Sequence, residues 1–356
     1  MLSEKASRKT SVLSMLLFIG VMTIHAYNLE IYGIDSNDDS VLAVLETFLR
    51  SFAEGICVPF FFVISGFLFF RNFKMSMLFD KYRSRAKSIV LPYVVWTTLY
   101  YLFFVCIFRV PAIANVMNSK GEVSLGIGAY IRYVWEGYYT FWFLRVLIWM
   151  ILLTPILYLL LKRRKYYWPE PMLILLLLIG LGIINIPKVN LNIYYVLGAY
   201  LGMNFKELPN KENKIASIVA AVCFPFLVIL GGTYAGRLWY NCLFFAVIWL
   251  AMNLFDFSHD VRWWVKCTFF YYCAHDMVLE SVEKLILIIG GRSNLMAFLD
   301  YLLAPVITLL ILICAAWVLR RWMKPIWQVL SGGRAGEGGK CHAGAAAGIA
   351  ELRNTQ

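Results

Sequence analysis

The stretch from Val58 to Arg71, VPFFFVISGFLFFR, carries no charge until its last residue. Taken with the residues before it, the apolar run extends from about 52 to 70, with Glu54 its one charged residue. Wound as a helix at 1.5 Å per residue, such a run is about as long as the hydrocarbon core of a bilayer is thick, ~30 Å. Runs of the same kind recur on both sides, at about 11–29, 89–108, 139–161, 171–187, 192–205, 215–232, 238–256, 264–283 and 297–319. The chain of 356 residues is 61% hydrophobic and only 15% charged, which excludes a water-soluble enzyme. The reading is an all-α, polytopic membrane helix bundle of about ten transmembrane helices. Its first helix is retained rather than cleaved as a signal peptide, because it contains His25 and lacks a small-residue cleavage site.

Lys and Arg in the connections set the orientation, since basic loops stay on the cytoplasmic side. With ten spans and the N-terminus inside, 24 of the 33 basic residues fall inside and 8 outside, with Arg145 left within a span. Both termini are therefore expected to be cytoplasmic. The net charge of +12 is topological and faces anionic membrane lipids, so no nucleic-acid partner is needed. The eight cysteines show no CxxC and no paired spacing, which argues against a disulfide or metal framework. Residues 1–325 are expected to form the membrane domain, and the Gly/Ala-rich tail 326–356 to be disordered. Two outer connections are long. The first, 30–51, is acidic. The second, 109–138, ends in tyrosines and a tryptophan that suit either an interfacial aromatic belt or a platform for stacking sugars.

An ionisable side chain inside a bilayer is costly unless paired or wet, so each one is a functional candidate. The chain offers His25, Glu54, Arg145, His275 and Asp276. By helical rise, His25 lies roughly 21 Å and His275 roughly 17 Å from the inner surface, at similar depths. Imidazole titrates near neutral pH and can take a proton from a hydroxyl, which makes either histidine a candidate general base. For His275 the neighbours Tyr271, Tyr272 and Asp276 offer a packed polar cluster instead, and Asp276, Glu280 and Lys284 share one helical face as an ion-paired rim. Arg145, in FWFLRVLI, suits either cation–π packing or an oxyanion. Ser65-Gly66 means close helix contact or a locally opened helix lining a cavity. Just beyond it, Arg71, Lys74, Lys81, Arg83, Arg85 and Lys87 exceed what loop retention requires and suit an anionic cytoplasmic ligand. There is no Walker sequence and no GxGxxG, so a nucleotide-hydrolysing engine is not expected.

These pieces in order resemble the integral membrane acyltransferase type 3 family, in its branch of sugar O-acetyltransferases. They are SMLLFIGVMTIHAYN, VPFFFVISGFLFFR, RSRAKSIVLPYVVW, FWFLRVLI, YYVLGAYLG and FFYYCAHDMVLE, covering about residues 10–320. The resemblance implies a ten-helix enzyme of the bacterial inner membrane. It would take an acyl group, usually acetyl, from acetyl-CoA or another acyl-CoA and place it on a sugar hydroxyl of a polysaccharide or lipid-linked acceptor. The family's first-helix histidine corresponds to His25 and its late histidine to His275, with Glu54 a further catalytic candidate near the outer mouth. The donor-binding set would be Ser65, Arg71, Lys74, Arg83, Arg85 and Arg145, with no metal. One departure is that many members have an arginine eleven residues before the first histidine, where this chain has Ser14. The alternative to acyl transfer is a transporter or flippase for a glycan or small molecule. Such proteins commonly carry paired, Gly/Pro-interrupted helices in two repeated halves, and no such repeat is visible here.

Overall fold

The computed structural model describes residues 4–36, 38–107, 125–137, 139–183, 192–205 and 213–334. Among them there is no β-strand, only an isolated bridge between Arg164 and Tyr167. In chain order the helices are α1 (Glu4–His25), the single turn α2 (Leu29–Tyr32), α3 (Val41–Phe70), α4 (Leu78–Arg85), α5 (Leu91–Ile107), α6 (Ile127–Glu136), α7 (Trp142–Leu152) and α8 (Thr154–Leu161). They continue as α9 (Glu170–Gly180), α10 (Ile193–Asn204), α11 (Lys214–Tyr234), α12 (Leu238–Ala251), α13 (Thr268–Gly290), α14 (Asn294–Trp322) and α15 (Lys324–Leu330). A π-turn, Ala86–Val90, joins α4 to α5.

Each of the ten expected spans contains helix among the described residues, but the lengths differ. Among the described residues, five helical stretches are long and apolar enough to cross a membrane: Glu4–Tyr32, Val41–Phe70, Met75–Cys106, Lys214–Tyr234 and Asn294–Trp322. A sixth results if Tyr139–Leu152 and Thr154–Leu161, bent by 62°, count as one span. That bend falls at Leu153, just before Pro155, whose ring cannot continue the preceding helix. The 12 residues of α10 rise only ~18 Å, short of a ~30 Å core. Helix α13 has 23 residues but buries Asp276, Glu280 and Glu283, which lowers its apolar character. Apolar side chains at 3–4 residue spacing stand exposed along α11 (Ile215, Ile218, Val222, Phe226, Ile229) and α14 (Leu295, Phe298, Leu302, Val306, Leu310). Stripes of this size are the surfaces that lipid covers.

Three local expectations need correction. The acidic connection ends at Ser40, whose hydroxyl caps α3 by accepting from Ala43 N at 3.4 Å, so residues 41–51 are helical. The basic stretch after Arg71 is helix α4 and the π-turn, and the segment from 326, expected to be disordered, begins inside α15 with Trp327 and Leu330 buried. The rest of that tail (335–356), most of the second outer connection (108–124 and 138) and Lys188 lie outside the described residues.

The chain divides into two compact units. The first gathers Met1–Ser76, Trp149–Lys266 and Arg292–Tyr301. Its centre is the packing of α3 on α10, which small residues permit. A Cβ added at Gly66 would meet the Tyr195 carbonyl and Ala199 N (2.9 Å). One at Gly198 would meet the Val63 carbonyl, and one at Gly202 the Phe67 carbonyl at 2.5 Å. Helix α3 runs unbroken through Ser65-Gly66, so these residues serve close helix contact and not an opened turn. Asn241 of α12 ties the same region together, donating to the Gly55 carbonyl and the Tyr194 hydroxyl, both at 2.8 Å.

The second unit gathers Met77–Ile148, Cys267–Gly291 and Leu302–Gln356. Here α5 is the spine. Tyr93 donates to the Val134 carbonyl at 2.8 Å, Trp96 to the Leu330 carbonyl at 3.0 Å, and the Tyr100 hydroxyl accepts from Met277 N at 3.1 Å. One face of α5 thereby fixes α6, α13 and α15.

Candidate active site

His25 is the last residue of α1 and is half-buried. The chain just past it is held by a polar cluster that sequence reading missed. Asn28 is fully buried; its backbone N donates to Glu46 Oε2 at 3.3 Å, and its side-chain amide donates to the Ala297 carbonyl at 3.1 Å and Asp300 Oδ2 at 3.2 Å. Tyr32 donates to the same Asp300 oxygen at 3.2 Å. Asn28 therefore clamps the exit of α1 between α3 and the start of α14, and orients His25 through the backbone. Glu46 Oε1 and Asp300 Oδ1 are buried without a hydrogen-bond partner among the described residues. Asn28 thus serves both buried carboxyls, one through its backbone N–H and the other through its side-chain amide.

Glu54 stands half-exposed on α3 and pairs with Arg50 at 3.1 Å, one turn away. The Arg50 guanidinium also lies over the Tyr27 ring at 4.5 Å, which links Glu54 to the chain two residues past His25. Ser65 is half-buried beside the glycine seam, Arg71 follows the end of α3, and Lys74 is exposed. Ser14 leaves the position of the family arginine without a cation, and its basic neighbours are used elsewhere. Lys9 is buried, donates to the Trp249 carbonyl and to Asn253 Oδ1 (2.7 Å), and sits over the Trp249 ring at 3.9 Å. Arg8 donates to the Phe257 carbonyl at 3.2 Å and to the Ser258 carbonyl, and approaches Asp260 at 3.8 Å. A second contact holds that turn: Lys266 bonds both Asp260 oxygens, at 2.8 and 2.9 Å, and keeps the carboxyl below the usual carboxylate range.

The remaining candidates, Arg83, Arg85, Arg145 and His275, belong to the second unit. Arg83 is exposed and Arg85 half-buried, both in the last turn of α4. Arg145 donates to the Glu136 carbonyl at 2.5 Å, so its guanidinium closes the end of α6. Phe141 packs edge-on to Tyr93 and tilted against Tyr272, with ring centroids 6.4 Å from each. His275 has 0% exposure, and its Nδ1 lies 2.7 Å from the Tyr272 carbonyl. A carbonyl only accepts, so Nδ1 carries the hydrogen and Nε2 keeps the lone pair in the neutral ring. Asp276 stands within electrostatic reach of the Tyr100 and Tyr133 hydroxyls. The Glu280–Lys284 pair forms at 4.0 Å but is buried rather than at a rim.

The second outer connection contributes α6, where Tyr130 and Tyr133 pack against Tyr101 with centroids 5.3 and 5.5 Å away. Those rings are spent on packing, apart from an open cleft between Tyr101, Leu125 and Tyr130. Among the described residues no group of three or more His, Cys, Asp or Glu could hold a metal.

Comparison with known proteins adds two findings. The model of a family described as "Acyltransferase domain" matches residues 12–321. The succinoglycan biosynthesis protein ExoH of Rhizobium meliloti (strain 1021) is 25% identical, over 94% of this chain and 94% of its own length. No solved structure matches.

Proposed function

The chain belongs to the integral membrane acyltransferase type 3 family, and from that premise we propose that it transfers an acyl group, acetyl in the first instance, from acyl-CoA to a sugar hydroxyl of a polysaccharide or lipid-linked glycan. The observation that carries the proposal is the family match through residues 12–321, which includes His25, the basic α4 region and His275. The resemblance to a protein named for succinoglycan biosynthesis supports a glycan acceptor. In this reading ten spans lie in a bacterial inner membrane with both termini cytoplasmic, and Arg71, Lys74, Arg83 and Arg85 meet the donor's phosphates from inside.

The chemistry follows from the residues present. His25 takes the proton of the acceptor hydroxyl as its oxygen attacks the thioester carbonyl. The carbon–sulfur bond then breaks, the acyl ester remains on the sugar, and the coenzyme A thiolate leaves and takes up a proton. The Asn28 clamp makes this productive by fixing where α1 ends. His275, with its tautomer set by the Tyr272 carbonyl, presents Nε2 as a second acceptor of protons or hydrogen bonds. Arg145 is committed to the Glu136 carbonyl through Nη1, which leaves its other donors for a phosphate or a carbonyl oxygen. The deciding experiment incubates membranes containing the protein with radiolabelled acetyl-CoA and a glycan extract. Label in the glycan as a base-labile ester is the expected result. Its absence with acetyl and larger acyl donors alike would refute acyl-CoA-dependent transfer.

A further inference from the structure

The segment after α14 does not trail away. Trp327 of α15 is buried against Phe270 (centroids 5.1 Å), and the Leu330 carbonyl accepts from Trp96. Gly332 and Gly333 then take φ of 63° and 70°, the left-handed region that glycine enters freely. A Cβ at Gly332 would collide with the Ser88 carbonyl in the π-turn and come within 3.3 Å of Arg334 Nη1. Only glycine, then, lets the chain turn back so tightly onto the π-turn that follows Arg85.

That turn delivers Arg334 inward. Its guanidinium lies over the Phe269 ring at 3.9 Å. Its Nη1 is buried with no hydrogen-bond partner among the described residues, and so are the hydroxyls of Ser88 and Ser331. Arg85 adds a second guanidinium within electrostatic reach; burial first, and that neighbouring charge second, bring the Arg334 pKa down to about 10, so Arg334 remains cationic at neutral pH. A fold that buries Arg334 Nη1 without a hydrogen-bond partner among the described residues, beside a second guanidinium, is built for a guest that carries negative charge.

We propose that Arg334 and Arg85, floored by Phe269 and flanked by the Ser88 and Ser331 hydroxyls, form a subsite for a phosphate group of the acyl donor. The proposal rests on the acyl-CoA reading and adds to it a binding residue from the C-terminal segment. Phosphate is favoured because its tetrahedral oxygens can take a guanidinium fork and hydroxyl donors at once. Phe269 opens α13, the helix that carries His275 six residues later, so the subsite lies roughly 9 Å along that helix from the histidine. A phosphate there could also belong to a lipid headgroup, and the test separates the two.

Full-length protein in detergent, as wild type, Arg334→Gln and Arg334→Lys, is titrated with coenzyme A and with inorganic pyrophosphate, reading binding and thermal stabilisation. The three proteins are also reconstituted in phosphatidylcholine with and without phosphatidylglycerol. We expect Arg334→Gln to weaken coenzyme A about tenfold or more and to abolish pyrophosphate stabilisation. Arg334→Lys should fall between, because it keeps the charge without the fork, and it guards against a mere folding defect. Unchanged titrations in both variants overturn the subsite. Loss of phosphatidylglycerol stabilisation with coenzyme A binding intact overturns the donor assignment in favour of a lipid phosphate. If the wild type ignores coenzyme A yet binds pyrophosphate in an Arg334-dependent way, the anion subsite stands and the acyl-CoA reading falls.

Discussion

Substituting Gly198 by alanine tests the contact on which the first unit is centred. The new Cβ would press on the Val63 carbonyl oxygen, with the Val63 carbonyl carbon at 2.9 Å and Phe67 N at 3.0 Å. All three are backbone atoms of α3, so no rotamer change relieves the clash and the two helices must separate. Overpacking of this kind costs about 1–3 kcal/mol, while alanine regains up to about 1 kcal/mol of helix propensity. The net expectation is a loss of about 1–2 kcal/mol, roughly a 5–30-fold shift toward the unfolded state. Gly128 provides the control: it lies in helix α6, and a Cβ there meets nothing within 4 Å. Gly128→Ala should therefore be neutral or stabilise by up to about 1 kcal/mol. Thermal unfolding in detergent, followed by tryptophan fluorescence and by protease resistance, reads both. If Gly198→Ala melts at or above the wild-type temperature, the close approach of α3 and α10 is refuted.

His25→Ala should insert and accumulate normally yet lose acyl transfer by about 10² to 10⁴, measured as labelled ester per unit of membrane protein, whereas His275→Ala keeps partial activity. Arg83→Ala with Arg85→Ala should raise the KM for acyl-CoA with little change in melting, and equal KM values would remove both from the donor site. Lys9→Ala strips a cation from the Trp249 carbonyl and Asn253, and should destabilise the protein by about 1–3 kcal/mol, whereas an exposed lysine such as Lys74 should be neutral when replaced. A reporter fused after Gln356 should register the cytoplasm and one inserted near Lys120 the outer side; an outward C-terminus would mean an odd number of spans.

The helices were legible because an apolar run of span length has few other uses, and the ten segments read from composition all contain helix. Whether each segment crosses the membrane was less legible: α10 is apolar yet only 12 residues long, and its glycines dock on α3. Glu46 read as one more acid in a wet connection. Its burial depends on Asn28 and on Asp300, which is more than 250 residues further on, and local sequence carries no trace of that pairing. The C-terminal segment misled in the opposite way. SGGR has the composition of a disordered linker, yet Gly332 and Gly333 are there for their backbone angles and Gly332 also for its missing Cβ. Lys9 read as a topological charge, and only the fold shows it as a buried donor.

The contact between Lys9 and residues 249–253 also has a history in time. Lys9 and Trp249 are 240 residues apart. At a synthesis rate of about 5–20 residues per second, the ammonium of Lys9 exists for roughly 10–50 s before its partners are made. During that interval the first helix is already in the membrane, and the charge must reach water at the interface along its own flexible stem. The contact that ties α1 to residues 249–253 closes only when the Trp249 carbonyl and Asn253 have been made. A nascent protein arrested before residue 249 therefore lacks this tie on the helix that bears His25.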